Sequence, residues 1–141
     1  MNRGYAAYNQ INVTTADPMK VILMLYDGAI GFTNKAIECT RAGDIKNKNL
    51  NANSARDIIV ELNNALNVEV GGELAENMRR LYLFMNRHLM TANWRNDVKM
   101  MQEVVDLLSS LRETWQDVHR QNAANSALAS RPQPMAAGIR V

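Results

Sequence analysis

A single cysteine, Cys39, stands in a chain of 141 residues, so no disulfide can close within it. The stretch from Met1 to Lys20 lacks a basic segment followed by an apolar one, the pattern of a secretory signal. No apolar run approaches the roughly 20 residues that span a bilayer. Val21 to Tyr26 is the longest, and Asp27 closes it. The expected compartment is the cytosol. Charge of one sign is scarce as well: Lys and Arg total 16, Asp and Glu 14, and the net charge of +2 is too weak by itself to mark a nucleic-acid binder.

Catalytic patterns are equally thin. A di-iron carboxylate bundle needs a Glu-x-x-His motif on each of two helices. Here His88 follows Met85-Asn86-Arg87 and His119 follows Gln116-Asp117-Val118, and neither has a glutamate three residues before it. One cysteine and two distant histidines make no zinc set. Cys39 lies in an amphipathic segment, where a thiol is more often a small core residue than a nucleophile. Gly71-Gly72 lacks the Gly-Lys-Ser/Thr that completes a phosphate-binding loop. The expectation is therefore no enzyme, no cofactor and no metal.

What the chain has in quantity is apolar helix. Hydrophobic residues make up 47% and charged residues 21%, which suits one packed domain. Asp17-Pro18 is a helix start, an acid at the N-cap before a proline at the first helical position. Asp27-Gly28 would signal a hairpin between alternating strands, but the run around it does not alternate, so the helix continues to about Thr40 and stops at Ala42-Gly43-Asp44. A second helix spans Ile45 to Leu66, with Ala52, Ala55, Ile58, Ile59 and Leu62 at spacings of three and four. Gly71-Gly72 breaks the chain. A third helix carries Leu74, Met78, Leu81, Tyr82, Met85, Leu89 and Ala92 and stops near Asn93. The fourth starts near Asn96-Asp97 and carries Met101, Val104, Val105, Leu108, Leu111, Trp115 and Val118.

From about Gln121 the period is lost, and Arg131-Pro132-Gln133-Pro134 marks a tail expected to be disordered. The division is an N-terminal segment over 1–16, a helical domain over 17–120 and a tail over 121–141. Short connections make neighbouring helices antiparallel, so the fold class is all-α, an up-down four-helix bundle.

A bundle helix needs an apolar stripe little more than 100° wide. Val21 to Tyr26 is apolar all round, which leaves a second face for a partner, for the N-terminal lead or the tail, or for a second copy of the bundle, and Gly28, Ala29 and Gly31 are small enough for another backbone to approach. Nine methionines suit a surface that repacks around a partner. These features describe a helical module that binds an amphipathic or extended peptide. Arg79, Arg80, Arg87, His88, Arg95 and Lys99 form a basic cluster without an aromatic-studded loop, so it reads as a solvated helix face before a nucleic-acid contact.

The order of short motifs resembles the flagellar export chaperone FliS family. AYNQ (Ala7 to Gln10), VTTADP (Val13 to Pro18) and MLYDGAI (Met24 to Ile30) open the match. Gly43-Asp44, Lys48-Asn49, DIIVEL (Asp57 to Leu62), GGELAENM (Gly71 to Met78) and LYLFM (Leu81 to Met85) continue it, followed by Ala92-Asn93, Asn96-Asp97 and LRETW (Leu111 to Trp115). The resemblance implies an antiparallel helical bundle with a short extra helix in some members. It implies a cytosolic bacterial chaperone that binds the disordered C-terminal segment of flagellin one-to-one in apolar grooves, prevents premature polymerisation and delivers it to the membrane component of the type III export gate. No cofactor, nucleic acid or direct membrane insertion is implied.

The resemblance assigns Tyr5, Tyr8 and Gln10 to a lid that also docks at the export gate. It assigns Ile22, Tyr26, Ala29 and Ile30 to the peptide groove, with Ile59, Leu62, Leu66, Leu107 and Leu111 as further candidates. Asn93, Asn96 and Asp97 match a polar turn read first as capping. Two positions depart from the family pattern: Leu83 replaces an acid, which enlarges the exposed apolar area, and Asp17 replaces a serine of equal capping use. The alternative reading keeps the groove but gives it another occupant, as an adaptor or regulator for an anti-sigma or co-chaperone partner.

Overall fold

The computed structural model describes residues 17–66 and 72–129. Four helices account for them: α1 (Pro18–Ala42), α2 (Ile45–Ala65), α3 (Gly72–Arg95) and α4 (Val98–Ala129). α1 packs against α2 and α4, and α3 packs against the same two, so α1 and α3 stand on the diagonal of a four-helix ring. Cross-contacts fix the register. Asp27 meets Arg112 and Thr40 meets Met101, so α1 and α4 run antiparallel; Lys48 meets Asn93 and Arg56 meets Asn86, so α2 and α3 do too.

The boundaries follow from local chemistry. Asp17 accepts the N–H groups of Met19 and Lys20 at 3.2 and 3.3 Å, and Pro18 loses nothing at a position with no intrahelical acceptor. Gly43 adopts the left-handed conformation, φ +71°, which turns the chain so that the Asp44 N–H reaches the Cys39 carbonyl at 2.8 Å. Asp44 then caps α2 through Asn47, whose two N–H donors hold its carboxyl below the usual carboxylate range.

Between α3 and α4, Asn96 takes φ +54° and Asp97 caps α4 by accepting the Met100 N–H at 3.0 Å. The capping role read for this turn holds. Lys48 reinforces it from across the bundle. Buried to 4% exposure, its ammonium donates to the Asn93 carbonyl at 2.7 Å and to Asn96 Oδ1 at 2.5 Å. Lys48→Met is expected to cost about 1–2 kcal/mol, because it removes two charge-assisted hydrogen bonds, although the Asn93 carbonyl keeps the Asn96 N–H at 3.3 Å. Urea unfolding measures this, and an unchanged midpoint would assign the turn's stability to Asn96 and Asp97 alone.

Two expectations change. The apolar ring of α1 is largely covered: Val21, Leu23, Leu25 and Tyr26 are buried, and only Ile22 and Met24 are partly exposed. The physical reason is the ring arrangement, which gives α1 two close neighbours instead of one. A Cβ on Gly31 would meet nothing within 4 Å, so among the described residues no backbone approaches there. The helical boundary also moves, because α4 continues through 121–129 to Ala129 with every one of those side chains exposed. Losing an apolar stripe removes packing, but Ala123, Ala124, Ala127, Leu128 and Ala129 keep strong helix propensity. Residues 1–16 and 130–141 lie outside the described residues.

Candidate peptide groove

Three helices meet beneath the site. Tyr26 of α1 and Tyr82 of α3 are fully buried on opposite sides of the ring, and their hydroxyls lie 2.5 Å apart. Their rings are tilted, with centroids 6.5 Å apart. The Trp115 side chain of α4 lies beside the pair. Burial pushes both phenols above the ordinary tyrosine value, Tyr26 the further because Tyr82 stands beside it. One hydroxyl donates to the other, so the largest core side chains close the ring with their two oxygens paired.

Above this floor, the seam between α3 and α4 is the most thinly packed of the four. His88 identifies the α3 edge that borders it: its Nε2 meets Glu103 Oε1 of α4 at 2.7 Å, and its ring stacks on Phe84 with centroids 4.9 Å apart. Leu81 and Leu74 lie one and two heptads before His88 and share that edge. On α4, Met100, Leu107, Leu111 and Val118 share the side of Glu103. Leu81, Met100, Leu107 and Leu111 are partly buried against the core, while Leu74 is 59% and Val118 38% exposed. Both walls are apolar.

The neighbouring α1–α4 seam is closed differently. Arg112 donates to both oxygens of Asp27, at 2.6 and 3.2 Å, and to Gln116 at 2.9 Å. The bonds to Asp27 hold its guanidinium above the ordinary arginine value. At the end of the ring where α1 begins, His119 lies 3.8 Å from Asp17 beside an open cleft of about 440 Å³ that also touches Met19, Asn122 and Ser126.

The residues assigned to the groove from sequence divide into two sets. Ile22, Ile30, Leu107 and Leu111 are partly exposed, with Leu107 and Leu111 in the α3–α4 trough. Tyr26, Ala29, Ile59, Leu62 and Leu66 are buried at 3% exposure or less and belong to the core beneath it. Tyr5, Tyr8 and Gln10 lie outside the described residues. In the sequence pattern Leu74, Leu81 and Val118 are members of the core stripe alone. The available signal was angular: Leu74 and Leu81 are offset to one side of the line through Met78, Tyr82, Met85 and Leu89.

A family model described as flagellar protein FliS matches residues 1–122, which takes in every helix up to the overhang of α4. The chain belongs to the FliS family. It is 39% identical over 111 residues to the flagellar secretion chaperone FliS of Bacillus subtilis, covering 79% of this chain and 82% of that protein. It is 38% identical over 120 residues to the protein of the same name from Salmonella typhimurium, with 82% and 89% covered. The FliS of Vibrio cholerae is 30% identical over 122 residues, with 84% and 90% covered. FliS proteins are thus a family of flagellar secretion chaperones, which is not an enzyme class. Among the described residues of this member, no helix is long and apolar enough to cross a membrane.

Proposed function

We propose that this FliS protein is a cytosolic export chaperone that binds the disordered C-terminal segment of flagellin along the α3–α4 trough. The observation that carries the reading is the pair of apolar walls, Leu74 and Leu81 facing Leu107, Leu111 and Val118, left open in a chain of this family. A client that becomes amphipathic on binding lays its apolar side chains between the walls, as helix-in-groove recognition requires. Ile22 and Ile30 extend the contact onto α1. Tyr26, Ala29, Ile59, Leu62 and Leu66 hold the floor from beneath and meet no client directly.

Occupying the trough covers the side chains through which flagellin would polymerise. Coupled folding and binding buries about 1,000–3,000 Å² and spends roughly 2–5 kcal/mol on ordering the client. Capture is therefore firm but reversible, and release at the export gate needs only a competing site for the client. Tyr5, Tyr8 and Gln10 are proposed to cover the groove before the client arrives and to dock at the gate.

Calorimetric titration with the C-terminal segment of flagellin from the same genome, at two temperatures, tests this. One-to-one binding with a negative heat-capacity change is expected. No heat and no binding would overturn the client assignment.

A further inference from the structure

The outer side of α3, turned away from the trough and the core, carries a second apolar line that the client reading does not use. Leu83, Met90 and Trp94 follow one another at spacings of seven and four and extend about 16 Å along the helix. They are 49%, 46% and 83% exposed. Arginines surround them: Arg79, Arg80, Arg87 and Arg95 all belong to α3, and no Asp or Glu occurs between Asn77 and Arg95. Arg79 has only a 3.8 Å contact to Glu76 in the first turns, and Arg80 bonds the neutral Asn77 at 2.8 Å. Arg87 and Arg95 form no ion pair among the described residues.

We propose that this face adsorbs to an anionic phospholipid surface. A peptide partner calls for a trough, whereas these side chains form a ridge that projects from a convex helix. A nucleic acid would use the arginines but gain nothing from Leu83 and Met90 set between them. A bilayer interface uses both: phosphate headgroups take the guanidinium groups, and an exposed tryptophan with two aliphatic neighbours enters the headgroup boundary. The helix stays parallel to the surface, held by the bundle, and nothing crosses the membrane.

The test is cosedimentation of the full chain with vesicles of phosphatidylglycerol mixed with phosphatidylcholine, against vesicles of phosphatidylcholine alone. Binding to the anionic vesicles only is expected, falling with added salt, with a blue shift in emission that is absent from Trp94→Ser. Each near-surface arginine is worth about fivefold in partitioning, so Arg87→Gln with Arg95→Gln should lower it roughly 25-fold without moving the thermal midpoint. Failure to bind anionic vesicles at low salt overturns the proposal. Binding that neither the double arginine variant nor Trp94→Ser alters also overturns it, because it would place adsorption elsewhere on the chain. Tighter binding to single- or double-stranded DNA than to vesicles would assign the ridge to nucleic acid instead. The titration with flagellin does not depend on any of these outcomes.

Discussion

Tyr26→Asp is expected to abolish the cooperative unfolding transition of the bundle. Tyr26 is fully buried, and its hydroxyl sits 2.5 Å from that of Tyr82. Removing a buried aromatic ring costs about 3–5 kcal/mol through lost burial and the cavity left behind. An aspartate there must bury a charge or take up a proton, a further penalty of several kcal/mol. The sum approaches the whole stability of a small domain, about 5–15 kcal/mol. Circular dichroism during heating reads the result, and a variant that still melts cooperatively near the parent midpoint would show that the floor is not packed as described.

Tyr26→Phe separates the hydroxyl from the ring. It should cost only about 1–2 kcal/mol, since the buried ring stays and only the hydroxyl–hydroxyl bond is lost. The same pair sets the alkaline limit of the parent. Both phenols titrate above the ordinary value of 10.0 in the folded chain. Stability is therefore fully present below pH 10 and is lost as pH rises beyond it, where the unfolded phenols ionise and the buried ones stay protonated. Each phenol contributes a slope of up to about 1.4 kcal/mol per pH unit, and Tyr26→Phe should remove one share of it.

Leu74→Glu combined with Val118→Glu is expected to weaken flagellin binding about a hundredfold, close to 2.7 kcal/mol, while leaving the bundle intact. These are the most exposed side chains of the two trough walls, so replacing them disturbs little of the core and should move stability by only about 0.5 kcal/mol. Each loses about 1 kcal/mol of apolar contact with a docked client, and each carboxylate must then be desolvated by that client. Calorimetry measures the first effect and thermal unfolding the second. Undiminished affinity in a folded double variant would move the client off the α3–α4 seam.

The helix ends were legible wherever a backbone group demands a particular side chain. Asp17-Pro18, Gly43 and Asp97 each answer an unsatisfied N–H or a left-handed turn, and such requirements are local. The end of α4 was not legible, because no comparable demand stops a run of alanines. The site was half legible for a different reason. Periodicity separates an apolar stripe from a polar one, but it does not say which edge of the stripe faces a closely packed neighbour. Ala29 and Leu111 look alike in the pattern, yet one lies between two close neighbours and the other borders the thinnest seam. Leu74 and Leu81 do not stand out in the pattern, because an offset of a few tens of degrees matters only once the position of α4 is known.

The long final helix has a thermodynamic consequence. Its 32 residues extend about 48 Å, yet no side chain beyond Leu108 is fully buried and all of 121–129 are exposed. Buried side chains anchor its first half, whereas the last turns bury none. A helical segment with few buried apolar contacts opens at lower cost than the core, so these turns open more readily than the inner half. The two halves of one continuous helix thus belong to different cooperative units. The inner half opens with the whole bundle, and the outer half frays without it, so its amide protons exchange with solvent at a cost unrelated to global stability.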